Sequence, residues 1–415
     1  MSSSDIVSSL PPAPVANYDE ALVGNHPLPD PLVGGDGQPV TTAEAWRRKR
    51  RPELLELFQR HVYGRILPKR PFEARLVESA CDALEGRATR RQIEIRLAGA
   101  AQPVLHLALY LPNRSAGPHP CFLGLNFKGN HGSFADPAIV LSDAWFPDEA
   151  QGVVNHRATE AGRGTGTSRW PVEMIVERGY ALATLYYGDI DPDWDDGFAN
   201  GVHSLFTVEE RHGDSGENSA TIAAWAWGLS RVMDYLEGVP EIDAGRVCLT
   251  GHSRLGKTAL WAGACDERFA LVVANNSGCG GAALSRRNFG ETPAVVTRNF
   301  PHWFCRNFRE NAAKPETLPV DQHQLVSLIA PRPVFISSAA GDLWADPRGE
   351  FLGGFHAGPV YRLLGSEGMA AEEMPGLDAP VLSRIGYAIR PGHHDITPAD
   401  WRVHLDFADA QLRRT

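Results

Sequence analysis

Seven short runs of hydrophobic residues are spaced along the chain from residue 104 onward. Each run is rich in β-branched or aromatic residues, and several are continuously hydrophobic where a half-exposed strand would alternate. Continuous hydrophobicity is typical of strands that are buried on both faces of a parallel sheet. The pattern therefore predicts strands over residues 104–112, 120–127, 180–188, 246–251, 271–278, 333–341 and 385–392.

Two other segments repeat hydrophobic residues at helical spacing, over 41–64 and 219–240. The first begins with Thr41 or Thr42 and has Glu44 nearby, which predicts a capped amphipathic helix on the outside of a sheet. The second ends at a glycine and a proline, as helices commonly do. Helices between successive strands indicate an α/β fold with right-handed crossovers, in which reacting groups gather at the carboxyl ends of the strands.

Composition limits the classes of function. The chain has 415 residues, 43% of them hydrophobic and 22% charged, which is ordinary for a globular protein. Its net charge of −10 argues against a broad surface for nucleic acid or for anionic membranes. The start of the chain is rich in proline and no internal repeat follows, so we predict a segment over 1–40 and a single domain over 41–415.

The sequence gives little support for a metal centre. The six cysteines are scattered without a CxxC pair, which argues against a zinc ribbon or a disulfide framework. The acidic stretch "DIDPDWDDGFANG" over 189–201 fails the EF-hand pattern, because its glycine and closing glutamate are not at the required positions. We expect a solvated loop there, after a strand, and no bound metal.

The stretch "VCLTGHSRLGKTAL", over 247–260, places Ser253 between a run of strand formers and a run of helix formers. A serine on such a turn holds its hydroxyl above the sheet, beside the first N–H groups of the helix, which can receive an oxyanion. The spacing is GxSxxG, with Leu255 where the second glycine of the commoner GxSxG pattern stands. Taken alone, the motif also fits a serine that only caps a helix.

A nucleophilic serine in this fold needs an acid and then a base, in that order along the chain. Asp342 follows the strand over 333–341, although Asp346, just before a proline, is an alternative. His393 and His394 follow the last strand, and we favour His394 as the base. The order and the placement at strand ends together predict a serine hydrolase.

Five segments of the chain resemble the glucuronoyl esterases, carbohydrate esterase family 15. They are "GHSRLGK" around the serine, "NNSGCGGAALSRRNFGET" over 275–292, "NFPHWFCRNF" over 299–308, "GDLWADPRGEF" over 341–351 and "PGHHD" over 391–395. Members of this family are α/β-hydrolases that cleave esters of 4-O-methyl-glucuronic acid. The resemblance covers the chain from about residue 40 onward, and it implies a mostly parallel central sheet in a three-layer αβα sandwich.

The resemblance also implies the reacting residues. It assigns the nucleophile to Ser253, the base to His394 and the acid to Asp342, and it places both the backbone and the guanidinium of Arg254 at the oxyanion. Many fungal members have a catalytic glutamate where this chain has Asn276, and an amide cannot supply that negative charge. The acid is therefore expected from the loop that holds Asp342, as in bacterial members.

Further residues match the family's contacts to the sugar. Lys257 lies one helical turn after the nucleophile, so its ammonium can reach sugar hydroxyls from the same face. Glu291 matches a carboxylate that accepts hydrogen bonds from those hydroxyls, and Trp344 matches an indole that donates one. Trp303 is expected as a further wall of the pocket, although buried packing explains it nearly as well.

The implied function is hydrolysis of glucuronic acid esters, such as those that link lignin to glucuronoxylan, through a Ser-His-Asp acyl-enzyme without a cofactor. An acetyl xylan esterase or general carboxylesterase of the same fold is the alternative, followed by a non-catalytic carbohydrate-binding relative. We expect a monomer that binds neither nucleic acid nor membrane. The chain begins without the pattern of a secretory signal, but a polymeric wall substrate implies a secreted or periplasmic protein.

Overall fold

A twisted sheet of nine strands forms the centre of the protein in a computed structural model, which describes residues 16–97 and 100–412. We number its strands β1 to β9 along the chain. Their bounds are Phe72–Asp82, Ala88–Leu97, Val104–Pro112, His119–Asn126, Ala181–Tyr186, Ile242–His252, Leu271–Asn275, Val334–Ala339 and Ile385–Arg390. A separate ribbon pairs Val153–Val154 with Arg157–Ala158.

The strand order across the sheet is β1-β2-β3-β5-β4-β6-β7-β8-β9. The six strands from β5 to β9 in this order run parallel, whereas β1, β2 and β3 pair antiparallel at one side. All seven predicted strands are present. The predicted α/β-hydrolase fold with a mostly parallel sheet is therefore confirmed.

The first two strands of the sheet, β1 and β2, did not emerge from the sequence. Their residues alternate between more and less buried positions, and β1 is exposed over most of its length. An edge hairpin of this kind carries many charged residues and lacks the continuous hydrophobic run of a strand that is covered on both faces.

Helices cover both faces of the sheet, so the fold has three layers with the sheet in the middle. We number the longer ones α1 to α10. Their bounds are Arg51–Phe58, Val172–Glu177, Thr221–Leu236, Arg254–Cys265, Pro293–Asn299, Arg306–Asn311, Gln322–Ser327, Pro347–Phe355, Gly358–Leu363 and Pro398–Leu412. α2 and α10 pack on one face, together with Phe122 and Phe335 of the sheet, while α3 and α4 pack on the other.

The helix predicted over 41–64 forms as a continuous helical run from Ala43 to Tyr63 that includes α1 and two π-helical stretches. The side chain of Thr42 accepts from the backbone N–H of Ala45 at 3.1 Å and so caps the first turn. Gly64 ends the run at a φ of 88°. Part of the predicted segment over 1–40 falls on residues 1–15, which lie outside the described residues.

The topology places six carboxyl ends on one edge of the sheet, those of β4 to β9. Loops that leave this edge carry Ser253 after β6, Asn276 after β7, Asp342 after β8 and His394 after β9. The antiparallel direction of β3 puts its first residue, Val104, at the same edge. Within the described residues, no helix is long and apolar enough to cross a membrane.

Candidate active site

Ser253 occupies a sharp turn between β6 and α4. Its backbone has a φ of 57° and a ψ of −130°, a conformation that L-residues rarely adopt and that is common at functional sites. A side chain at Gly251 would overlap the carbonyl oxygen of Leu255, so the close approach of strand and helix requires a glycine at that position. The second glycine stands one residue later than in the commoner motif, at Gly256, where an added Cβ would lie 3.1 Å from the Cβ of Ser277.

Three side chains meet in a hydrogen-bonded chain at this turn. Oγ of Ser253 lies 2.8 Å from Nε2 of His394, and Nδ1 of the same ring lies 2.6 Å from Oδ2 of Asp342. The carboxylate accepts from Nδ1–H, which leaves Nε2 free to accept the serine proton. Asp342 is buried, whereas 39% of the His394 side chain is exposed, so substrate can approach the imidazole.

Asp346 and His393, the alternatives to Asp342 and His394, make other contacts. Asp346 lies 2.8 Å from Nε of Arg287 and accepts from the backbone N–H of Gly349 at 2.9 Å, so it caps α8 and closes a buried ion pair. Burial raises its pKa, against the opposing effect of the arginine. The carbonyl oxygen of His393 accepts from Arg390 at 3.1 Å, which fixes the loop. Of the two histidines, the structure brings His394 to the serine.

Asn276 contacts the acid directly. Its side-chain amide donates to Oδ2 of Asp342 at 2.8 Å, from a residue with a left-handed φ of 44°. The sequence indicated only that this position could not supply a charge. In the structure it is a neutral donor to the carboxylate that orients the imidazole.

His252, the residue before the nucleophile, lies near the base with its ring centroid 4.6 Å from that of His394 and the two rings tilted by 42°. Its Nδ1 lies 2.6 Å from Oδ1 of Asn275. Burial and then the charge of a protonated His394 hold the pKa of His252 well below its ordinary value. The inner imidazole therefore stays neutral and does not compete for the catalytic proton.

Arg254, which follows the nucleophile, is held inside the cleft by an ion pair and by aromatic rings. Its guanidinium bonds to Asp193 on the loop after β5. The guanidinium carbon lies 4.5 Å from the ring centroid of Trp303 and 5.1 Å from that of Phe300, and those two rings stack on each other at 3.8 Å. Such a cation over aromatic faces is further stabilised when it is desolvated.

Asp193 collects four donors, although the sequence suggested a solvated loop at this point. Oδ1 lies 2.7 Å from Nε1 of Trp303 and 2.9 Å from Nε2 of His302, and Oδ2 accepts from the hydroxyl of Tyr187 at 3.2 Å. Burial favours the neutral acid, but the hydrogen bond from His302 and the charge of Arg254 outweigh it and lower the pKa of Asp193 to about 2. The loop thus supplies a fixed carboxylate beneath Arg254. In the sequence, only the cluster of aspartates directly after a strand indicated this carboxylate.

Lys257 and Glu291 form a buried ion pair beside the nucleophile. Nζ of Lys257 lies 2.9 Å from Oε2 of Glu291 and 2.9 Å from the carbonyl oxygen of Ser277. Trp344, which follows Asp342 by two residues, is 38% exposed. The backbone N–H of Glu291 donates to the carbonyl oxygen of Trp344 at 2.8 Å, which joins the two loops that carry the predicted sugar contacts.

Comparison with known proteins agrees with this geometry. A family model described as fungal glucuronyl esterase matches residues 179–365. The chain is 46% identical to the carbohydrate esterase MZ0003 of an unknown prokaryotic organism, over 95% of this chain and 92% of the relative. The 4-O-methyl-glucuronoyl methylesterase of Phanerochaete carnosa is 28% identical over 81% of this chain and 72% of its own.

A solved structure gives the same result. The glucuronoyl esterase from Solibacter usitatus superposes with a TM-score of 0.90 at 43% identity, covering 95% of this chain and all of its own. The chain therefore belongs to the glucuronoyl esterases of carbohydrate esterase family 15.

Proposed function

We propose that the protein is a serine esterase that hydrolyses esters of glucuronic acid, including its 4-O-methyl form. The observation that carries the proposal is the hydrogen-bonded chain from Ser253 through His394 to Asp342 at the carboxyl edge of the sheet. The family supports the uronic acid as the acyl group, and the name of the Phanerochaete carnosa relative supports a 4-O-methyl-glucuronoyl ester.

The geometry performs acyl transfer in two steps. Nε2 of His394 accepts the proton of Ser253 as Oγ attacks the ester carbonyl carbon at C6, and a tetrahedral oxyanion forms. When the C–O bond to the alcohol breaks, the alcohol leaves with that proton. Water then attacks the acyl-enzyme in the same way, gives its proton to His394, and releases the uronic acid and the free serine.

The oxyanion is stabilised by groups at the start of α4. α4 begins directly after Ser253, and the start of a helix offers N–H groups that can bind an anion. The Arg254 guanidinium is fixed in the same cleft by Asp193 and Trp303. Because the cation is already held in place, no reorganisation is needed when negative charge develops. Removing one such donor typically lowers kcat by about 10²- to 10³-fold.

The buried pair of Lys257 and Glu291, with exposed Trp344, supports recognition of the sugar ring. A lysine and a carboxylate side by side offer both a donor and an acceptor to vicinal hydroxyls. Substrate hydroxyls that insert between them replace one hydrogen bond with two, which favours a sugar over a simple alkyl acyl group. The family resemblance implies a lignin unit as the leaving alcohol and glucuronoxylan as the polymer.

Ester specificity tests the proposal. Purified protein is expected to hydrolyse methyl and benzyl glucuronate, and Ser253→Ala is expected to lose about 10⁶-fold in kcat. A fluorophosphonate probe should label the wild-type chain at Ser253 and leave that variant unlabelled. The proposal is wrong if the protein leaves both glucuronates intact while it deacetylates acetylated xylan, since that result identifies an acetyl xylan esterase. Binding of glucuronoxylan without labelling would identify a non-catalytic protein.

The same substrate supports a location outside the cytoplasm, in the periplasm or in the medium. Glucuronoxylan is a polymer of the plant cell wall, so an enzyme that acts on it has to reach the polymer or fragments of it. Fractionation of the native producer should recover the glucuronate esterase activity outside the cytoplasm, and recovery only in the cytoplasm would contradict this location.

A further inference from the structure

A cavity of about 510 Å³ opens on the same edge of the sheet as the reacting residues, outside the site described above. Its size falls in the range of small-molecule sites. The side chains that matter for its chemistry are those of Trp145, Arg157, Asp189, Trp194, Asn200 and Ser204.

The spacing of the strands gives the distance between this cavity and the nucleophile. It is lined by Val104 at the start of β3 and by residues that follow β5. Strands in a sheet lie about 4.8 Å apart, so β5 is about 10 Å and β3 about 14 Å from β6, which ends at the serine.

One loop connects the two regions directly. Pro192 and Trp194 line the cavity, and Asp193, which lies between them, bonds to Arg254 in the active site. A molecule that occupies both regions would therefore lie along a single stretch of backbone.

Two indole rings give the cavity a rigid aromatic wall. Trp194 is 41% exposed, and its ring centroid lies 6.0 Å from that of Trp145. The Trp145 ring stacks on His156 at 5.1 Å with an interplanar angle of 18°, and its carbonyl oxygen accepts from the hydroxyl of Tyr186 at 3.0 Å. Exposed indoles that are held in place offer contact area at little cost in conformational entropy.

The remaining wall is polar. Asn200 and Ser204 are exposed and supply amide and hydroxyl groups, and the carboxylate of Asp189 lies deeper. The guanidinium of Arg157 bonds to the carbonyl oxygen of Asp143, and the carboxylate of Asp189 is bound by Nδ1 and the backbone N–H of His106. The lining therefore has two carboxylates, one of them already paired, and the single cation of Arg157. This balance disfavours a second uronate and favours a neutral ligand with many hydroxyl groups.

We propose that this cavity is a second carbohydrate subsite, which binds a neutral pyranose unit of the polysaccharide that carries the glucuronoyl ester. The proposal rests on the proposed function and extends it from a uronyl ester to an oligosaccharide ester. The apolar faces of a pyranose ring stack on Trp194, and its hydroxyls bond to the polar wall. An aryl group of the leaving alcohol would leave those polar groups without partners, which argues against it as the occupant.

The test compares two esters of one acyl group. For each variant, we take the ratio of kcat/KM on a methyl-esterified aldouronic xylo-oligosaccharide to kcat/KM on methyl glucuronate. Trp194→Ala is expected to lower this ratio about tenfold through KM, and Asn200→Ala to lower it less. Leu377→Ala removes a more exposed hydrophobic side chain, at 53% exposure, from a different loop and is expected to keep the wild-type ratio.

Other results overturn the proposal. An unchanged ratio in Trp194→Ala, or an equal loss on both esters, rules out a sugar subsite. A loss confined to glucuronate esters of bulky aryl alcohols identifies an aryl subsite in its place.

A direct binding measurement distinguishes failure of the subsite from failure of the esterase assignment. Neutral xylotetraose is expected to bind Ser253→Ala, with the binding heat in calorimetry lost in the Ser253→Ala/Trp194→Ala double variant. If the wild type cleaves neither ester but this binding difference is present, the esterase assignment fails and the subsite stands. Equal binding heats for the two variants overturn the subsite.

Discussion

The side-chain amide of Asn276 donates to Oδ2 of Asp342, the same oxygen that faces Nδ1 of His394. One carboxylate oxygen thus receives a neutral donor and the imidazole together. The amide lies at the end of β7 and the acid at the end of β8, which are paired strands. Asn276 therefore helps to fix the acid in the orientation that the base requires, without adding charge.

Replacing this amide by an acid should shift the pH profile. Asn276→Asp places a second carboxylate against Asp342 and near the imidazole. Additional negative charge favours the imidazolium, so the acidic limb of kcat/KM is expected to move to higher pH by about one unit. A pH–rate profile on methyl glucuronate measures the shift.

The matched variant for this experiment is Asn276→Ala, which removes the donor and adds no charge. Its rate is expected to fall while its acidic limb stays close to that of the wild type. Identical limbs for the alanine and aspartate variants would show that the position does not act on the imidazole through charge.

The structure also shows which features can be predicted from the sequence. Strands buried on both faces, such as β6 and β8, contain a run of consecutive buried residues, and the nucleophile and the acid follow their ends. The charged edge strand β1 lacks that run. Asp193 escaped prediction for a different reason, because its partners Arg254 and Trp303 lie far along the chain and meet it only after folding.

Asp193 should act on catalysis through Arg254. Asp193→Asn keeps an acceptor for Trp303 but removes the charge that holds the guanidinium, so kcat/KM is expected to fall by about 10²-fold. Arg254→Ala should lose at least as much. If both residues act as one unit, the double variant loses no more than Arg254→Ala alone, whereas losses that multiply would show independent roles.

The buried pair of Lys257 and Glu291 allows stability and recognition to be separated. Lys257→Met leaves a buried carboxylate without its partner and is expected to lower the free energy of unfolding by about 3–5 kcal/mol. The double variant Lys257→Met/Glu291→Leu removes both charges and should recover most of that loss in urea unfolding. It is nevertheless expected to remain at least about tenfold below the wild type in kcat/KM on methyl glucuronate, since it lacks the sugar contacts. Wild-type activity in the double variant would exclude this pair from substrate recognition.

Glu350 makes the stability of the fold depend on pH. This buried carboxyl on α8 accepts from Ser338 at 2.7 Å, from Ser277 at 2.9 Å and from the backbone N–H of Gly278 at 3.0 Å. Burial nevertheless raises its pKa from 4.5 to about 7, and the charge of Asp342 acts in the same direction.

The sign of the effect follows from proton binding. Between pH 4.5 and about 7 the folded protein keeps the Glu350 proton and the unfolded chain loses it, so stability falls as pH rises through this window and is level above it. The full shift corresponds to a contribution on the order of 3 kcal/mol. Glu350→Gln keeps an oxygen for Gly278 and cannot ionise, so its unfolding free energy should fall less than that of the wild type over the same window. Urea unfolding of both proteins from pH 4 to pH 8 measures the difference, and parallel curves would show that Glu350 is ionised in the folded protein throughout.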